Sequence, residues 1–135
     1  MDMKLELIVV PVSDIVRAKA FYATDMGFKV EVDHRAGDDF RVVQLTPPGS
    51  ACSIALMRND AAGSLHGLHL TVSDIEAAHR ELSGRGVPAG EMWHMDGPTQ
   101  TPGPDPERRS YNTFFSVDDP DGNTWLVQEV HRGES

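Results

Sequence analysis

The strongest constraint on the fold is an internal repeat. Residues 12–15, Val-Ser-Asp-Ile, occur again sixty positions later at residues 72–75. In each copy an extended apolar segment precedes these four residues, and a helical pattern follows them. This arrangement predicts that one small unit of strands and helix is used twice. Duplicated units are expected to pack together around a shared cleft, and function then depends on what lines that cleft.

Both ends of each predicted helix are marked. Apolar residues recur at helical spacing, namely Ile15, Ala18 and Tyr22 in the first copy and Ile75, Ala78 and Leu82 in the second. Ser73 and Glu76 have the spacing of a capping box at the start of the second helix. Gly27 and Gly86 follow the last periodic residues, where a left-handed C-cap favours glycine. The helices are therefore predicted to run to about Met26 and Arg85.

Three strand-like segments follow each helix. They lie at residues 28–33, 40–45 and 53–57 in the first copy, and at 89–93, 111–117 and 124–130 in the second. Residues 119–123, Asp-Pro-Asp-Gly-Asn, predict a tight turn, because proline fixes one φ and glycine accepts a positive one. Residues 60–64 link the copies, and residues 95–109, rich in Pro, Gly and Thr, predict a long loop.

The order is therefore β-α-β-β-β, twice. We expect an α+β fold with two tandem βαβββ modules, at about 4–58 and 66–131, whose curved mixed sheets surround a cleft. The length predicts a single domain over residues 1–135.

Composition narrows the class of protein. The formal net charge of −9 argues against binding to nucleic-acid phosphates, and it favours solubility or a cationic small molecule. The sequence starts without a basic region and apolar core, so we expect no signal peptide and no membrane partner. A single cysteine, Cys52, cannot form an internal disulfide and indicates a reducing cytoplasmic location.

The doubled pattern, the Ala20-Phe21-Tyr22 run before Gly27-Phe28, and the turn at 119–123 together resemble the vicinal oxygen chelate superfamily. That superfamily contains glyoxalase I, extradiol dioxygenases and bleomycin-binding proteins. The resemblance covers nearly the whole chain. It implies curved sheets whose concave faces form the site, helices over the convex faces, and frequent assembly as a homodimer, which we expect here because open sheets leave edges and apolar surface to cover.

Enzymes of that superfamily bind a divalent metal through His, Gln or Glu. The resemblance transfers the ligand positions to Leu7, Gly67 and Leu126, with a fourth within residues 52–56. None of these residues is a carboxylate, an imidazole or a carboxamide, and leucine and glycine offer no donor atom to a divalent cation. Glu6 and His66 each lie one residue before a ligand position, but a slip of one residue in a strand points a side chain to the opposite face. We therefore expect no metal and no other cofactor.

Alternation along the strands predicts what the cleft contains instead. The ligand-binding residues are predicted to be His69, Thr71, Gln128, Leu7, Leu126 and Trp93. His69 can donate to a ligand or act as an acid or base, or it can be a hydrogen-bonded structural histidine. Trp93 can stack on a planar ligand or pack in the core. Arg108 and Arg109 can bind an anion or form a solvated loop end.

Two classes of function follow. The first is a metal-independent protein of the glyoxalase/bleomycin-resistance type that binds a small organic molecule and sequesters an antibiotic or natural product. The alternative is an enzyme, a lyase, isomerase or dioxygenase-like catalyst, that acts through His69 or a loop residue on a small carbonyl or natural-product substrate. The sequence leaves open whether there is catalysis, and no catalytic residue is assigned.

Overall fold

The structure is a computed structural model, and it describes residues 1–132. The chain forms two compact units. Unit one contains Met1–Leu65 together with Asp119–Asn123, and unit two contains His66–Asp118 together with the described residues from Thr124 onward.

Unit one follows the predicted order of elements. Its strands and helix are β1 (Leu7–Val12), α1 (Ile15–Ala20), a π-helical continuation (Phe21–Asp25), β2 (Lys29–Ala36), β3 (Phe40–Thr46) and β4 (Ser53–Arg58). The strands form sheet one in the order β1-β4-β3-β2, with β1 parallel to β4 and the other pairs antiparallel. The predicted helical stripe of Ile15, Ala18 and Tyr22 is buried.

Unit two repeats the plan with one more strand. It contains β5 (Leu68–Val72), α2 (Ile75–Gly84), β6 (Trp93–Asp96), β7 (Thr99–Pro102), β8 (Phe114–Asp118) and β9 (Thr124–Glu129). These strands form sheet two in the order β5-β9-β8-β6-β7, with β5 parallel to β9. The expected α+β class with two mixed sheets is therefore confirmed.

The extra strand corrects two predictions. The segment read as a loop, 95–109, begins with a β6–β7 hairpin that turns at Gly97 and Pro98, where Gly97 has φ +62°. The strand predicted at 89–93 begins only at Trp93, the first residue of β6, and the residues before it contribute one isolated bridge, Ala89 to Val117. Proline content was the misleading signal, because proline is tolerated in a turn and on an edge strand such as β7.

The helix caps also differ from the prediction. The N-caps are Asp14 and Asp74, whose carboxylates accept hydrogen bonds from the backbone N–H of Arg17 and Ala77 at 3.1 Å. Ser73 is therefore not the capping residue. An ionised carboxylate at the N-terminus also interacts favourably with the helix dipole, which a hydroxyl does not. Gly27 and Gly86 have φ of +80° and +86°, as the C-cap prediction requires.

The turn at residues 119–123 belongs to unit one, and its contacts explain the spacing of the sequence motifs. Tyr22 donates its hydroxyl to the buried Asp119 carboxylate at 2.7 Å. Asn123 donates to Asp119 at 2.8 Å and to the carbonyl of Pro11 at 2.9 Å, at the end of β1. The Ser13 backbone N–H donates to Asp121 at 3.0 Å. The motifs thus form one hydrogen-bonded structural cluster.

Candidate functional site

The side chains of sheet two alternate between two faces. Phe115, Val117, Trp125, Val127 and Glu129 are buried on the side of α2, where His79 contacts the ring of Phe115 edge-on at 4.9 Å. The opposite side we call the open face. It carries His69, Thr71, Trp93, Phe114, Ser116, Asp118, Thr124, Leu126 and Gln128.

Strand register arranges the open face in rows across sheet two. One row contains Thr71, Gln128, Phe114 and Trp93, which are successive cross-strand partners. A second row contains His69, Leu126 and Ser116. Directly opposed residues have Cβ atoms about 4.5–5.5 Å apart. Five of the six predicted ligand-binding residues therefore lie in two adjacent rows of one face.

Trp93 and Phe114 form the aromatic part of this face. Their ring centroids lie 4.5 Å apart with an interplanar angle of 31°, and both residues are half-buried. Trp93 thus packs against Phe114 and still exposes part of its ring to solvent, so packing and stacking on a ligand are compatible roles. Phe114 was missed from the sequence, because only the β6–β8 register places it beside Trp93. The pair provides a flat apolar surface on which an aromatic ring can stack.

Polar side chains stand beside this pair. Within residues 1–132, the side chains of Thr71 and Gln128 have no hydrogen-bond partner, and neither does the imidazole of His69. His69 and Thr71 are exposed and Gln128 is half-buried. The structural role considered for His69, a hydrogen-bonded histidine, therefore has no support in the described part of the chain. All three groups are available to a ligand.

The other end of the open face is polar. Thr124 donates its hydroxyl to Asp118 at 3.1 Å, and His66 Nδ1 lies 3.1 Å from the same hydroxyl oxygen. Because the threonine hydrogen is directed at Asp118, Nδ1 of His66 must be the donor. In the neutral ring this leaves Nε2 as an acceptor. His66 and Asp118 are exposed.

The segment after β7 holds the aromatic end in place. Asn112 accepts from the N–H of Met95 at 3.1 Å and donates to its carbonyl at 3.0 Å, so its amide acts as a strand partner for β6. Asp105, buried, binds Asn112 and Arg109. The Arg109 guanidinium holds the pKa of Asp105 well below its usual range. His94 is buried, and its Nδ1 forms a hydrogen bond with the carbonyl of Gly103 at 2.7 Å.

Arg108 neutralises a second buried carboxylate. Its Nε and Nη2 donate to Glu129 at 3.0 and 2.9 Å, while the N–H of Ile75 donates to the same carboxylate at 3.1 Å. The hydrogen bond from Arg108 lowers the pKa of Glu129. Both guanidinium groups are thus bound to buried carboxylates of the protein, which does not favour the role of an anion clamp.

The ligand set of the superfamily's metalloenzymes is not reproduced. Leu7 lies opposite Ser53 in sheet one, and Leu126 lies opposite His69 in sheet two. Val9 corresponds to His69 in the sixty-residue repeat, and it lies opposite Ala55. Ala55 is therefore the position in sheet one that corresponds to Leu126. Leucine, glycine and alanine side chains supply no ligand atom, so the residues present do not fit the metal. In residues 1–132 no group of three or more His, Cys, Asp and Glu side chains is close enough to hold a metal ion.

Leu7 lies in unit one, half-buried on the face of sheet one opposite α1. Unit one also contains a polar cleft of about 420 Å³ between the start of α1 and the β2–β3 hairpin. Its charged lining consists of Asp14, Arg35, Asp38, Asp39, Arg41 and Arg58. None of the predicted site residues lines this cleft, and its balanced charges favour neither anion nor cation. Sheet two is therefore the better candidate.

Comparison with known proteins assigns the family. The model of the Glyoxalase/Bleomycin resistance protein/Dioxygenase superfamily matches residues 4–127, and the chain belongs to that superfamily, as the sequence motifs predicted. A comparison with curated proteins found no significant match.

Several solved structures resemble the chain over nearly its full length. TnmS3, an antibiotic binding protein from Streptomyces sp. CB03234, is 31% identical over 96% of this chain and 98% of its own, with a TM-score of 0.73. A glyoxalase/bleomycin resistance protein from the same organism is 32% identical over 93% and 100%, with a TM-score of 0.69. A superfamily member from Sphaerobacter thermophilus DSM 20745 is 25% identical over 95% and 98%, with a TM-score of 0.69.

As for membranes, neither helix in the described part of the chain has the length and apolar character needed to cross one.

Proposed function

We propose that this protein binds a small, largely apolar, planar organic molecule on the open face of sheet two, without a metal ion. The observation that carries the proposal is the Trp93–Phe114 pair, which shares a strand row with Gln128 and Thr71. Small-molecule sites typically combine an apolar wall with a few hydrogen-bonding groups that fix orientation. Here the rings supply the wall, and Gln128, Thr71 and His69 supply the orienting groups.

The biological role we propose is sequestration of an antibiotic or natural product in the cytoplasm. The 31% identity to an antibiotic binding protein supports this role, since that protein and this chain align over nearly their full lengths. The single cysteine is compatible with a reducing compartment.

We also propose that the protein acts as a homodimer. On β1 the side chain of Val9 is 43% exposed, and Leu5, just before the strand, is 66% exposed. Exposed apolar side chains on the edge strand of a sheet are features that a second copy would cover.

The alternative function is catalysis on a small carbonyl or natural-product substrate. The observation that favours it is His69, an exposed imidazole on the same face with no hydrogen-bond partner among the described residues. A histidine in that position can transfer a proton to or from a bound molecule.

The test uses a planar neutral probe, 1-pyrenebutanol, with its fluorescence anisotropy as the readout. Removing a stacking ring should cost about 0.5–1.5 kcal/mol, so Trp93→Ala is expected to weaken binding roughly two- to tenfold. Phe40→Ala is the matched control, because Phe40 is an aromatic residue of unit one that is 43% exposed. The proposal fails if the probe does not bind, or if both variants bind it as tightly as the wild type.

Catalysis is separated from binding by the fate of the ligand. A natural ligand recovered unchanged after prolonged incubation indicates sequestration. Conversion by the wild type, abolished in His69→Ala at unchanged binding of the pyrene probe, would instead establish the enzyme.

A further inference from the structure

We propose that the open face of sheet two selects planar aromatic molecules that carry a protonated amine, with the rings on Trp93 and Phe114 and the ammonium group at Asp118. This inference rests on the proposed function and names its ligand class. The inference is motivated by the difference between the two ends of the open face, one of which is aromatic and the other acidic.

Charge on the open face has one sign. Among the open-face side chains, all of which lie in the described part of unit two, Asp118 is the one carboxylate, and there is no Lys or Arg. Asp118 is exposed, and within residues 1–132 the one hydrogen bond that its carboxylate accepts comes from Thr124. A carboxylate without a cationic partner, beside a neutral surface, attracts a cation and repels an anion.

Thr124 connects Asp118 to His66 at the same end. His66 Nδ1 donates to the Thr124 hydroxyl, and that hydroxyl donates to Asp118, so the carboxylate is held in place. An ammonium group carries three donors, and the Asp118 carboxylate keeps further acceptor positions for it.

The distance between the two ends sets the size of the ligand. Phe114 and Asp118 lie on the same face of β8, four residues apart. At about 3.3 Å per residue, the two groups are separated by roughly 13 Å along the strand. A polycyclic ring system with a short alkylamine arm spans that distance, whereas a single ring or a small aldehyde does not. The net charge of −9 favours the approach of such a cation from solution.

The experiment compares three probes that share one ring system and arm: 1-pyrenebutylamine, 1-pyrenebutanol and 1-pyrenebutyric acid. Dissociation constants are measured by fluorescence anisotropy at neutral pH and low salt. An ion pair at an exposed site has a strength of up to about 1 kcal/mol, so the amine should bind roughly two- to fivefold tighter than the alcohol. The acid should bind more weakly than the alcohol. Added salt should reduce both differences, because the site is open to solvent.

Two substitutions distinguish a local site from general acidity. Asp118→Asn removes the carboxylate and should make the amine and the alcohol bind equally. Asp60→Asn changes net charge by the same amount at an exposed residue of unit one, and it should leave the preference for the amine intact. Both residues are exposed, so both variants are expected to keep the wild-type circular dichroism and melting temperature.

The outcomes separate this inference from the function on which it rests. If amine and alcohol bind the wild type equally, and Trp93→Ala weakens both, the inference is overturned and the proposed function stands. If Asp60→Asn abolishes the preference as Asp118→Asn does, the selectivity is not local and the inference is again overturned. If none of the three probes binds, the proposed function fails and the inference fails with it.

Discussion

Replacing Arg108 with methionine is expected to destabilise the protein markedly, because it leaves a buried charge without its partner. The Glu129 carboxylate is 1% exposed and receives two hydrogen bonds from the guanidinium. Breaking a buried ion pair from one side typically costs about 3–5 kcal/mol. Here the arginine side chain is 36% exposed and the bond from Ile75 remains, so we expect about 2–3 kcal/mol. For a chain of this length that corresponds to a fall in melting temperature of roughly 6–15 °C.

The loss should depend on pH in a definite direction. In the wild type Arg108 lowers the pKa of Glu129, so its stabilising effect is complete above the ordinary glutamate pKa of about 4.3 and is lost as pH falls through the lower folded value. In Arg108→Met, burial instead opposes ionisation, and protonation relieves the unpaired charge. The difference in unfolding free energy should therefore be largest near pH 7 and shrink toward pH 4.

The assay is urea or thermal unfolding at several pH values, followed by circular dichroism. Arg80→Met is the control, because Arg80 is exposed on α2 and has no partner among the described residues. Adding Glu129→Gln to Arg108→Met should recover part of the loss, since the amide oxygen can still accept from Ile75 without a charge. A loss no greater than that of Arg80→Met, or one independent of pH, would refute the reasoning.

Four other outcomes follow from the structure. Tyr22→Phe should lower the free energy of unfolding by about 1–2 kcal/mol, because it deletes a 2.7 Å hydrogen bond to a buried carboxylate. The control is Tyr111→Phe, which should lower it by less than about 0.5 kcal/mol because Tyr111 is 56% exposed. Asn112→Ala should weaken binding of 1-pyrenebutanol roughly two- to tenfold, although Asn112 is not on the open face, because the substitution removes both hydrogen bonds that hold β6. Unchanged binding would contradict this prediction. Elemental analysis of protein purified without chelator should find no stoichiometric divalent metal, and one Zn, Ni, Fe or Mn per chain would disprove the metal-free proposal. Light scattering at micromolar concentration should give the mass of a dimer, and a monomer alone would exclude it.

Most of the fold could be predicted from the sequence because its determinants are local. The repeat at residues 12–15 and 72–75 fixes where each helix starts, and glycines with φ near +80° fix where each chain segment leaves its helix. Strand alternation then determines the faces, so Val10 and Val12 are buried while Val9 is exposed. The hairpin at 93–102 was missed because its strands have four residues each, too short for periodicity, and because proline outweighed the threonines.

The candidate site was predictable only in the strands with a strong pattern. His69, Thr71, Leu126 and Gln128 follow from alternation in β5 and β9, which the repeat and the turn locate. Phe114 and Asp118 do not follow, because their importance depends on which residues of other strands lie opposite them. Cross-strand partners are set by register over long sequence separations, and a single sequence contains no direct signal for them.

The missed hairpin and the two roles left open for Trp93 have one physical cause. Trp93 at the start of a structureless loop would gain most by packing into the core, as its large apolar area requires. Once β6 is a strand, Phe114 and Pro102 are the partners of Trp93 in register, and the Phe114 ring packs against the indole, which stays half-buried. Asn112 makes this possible, because β6 pairs with β8 at one residue and the asparagine amide satisfies the backbone of Met95 where β8 does not reach. The buried Asp105, which is bound by Arg109, accepts a hydrogen bond from the same amide. The aromatic end of the open face therefore depends on a polar network in a segment that the sequence predicts to be a loop.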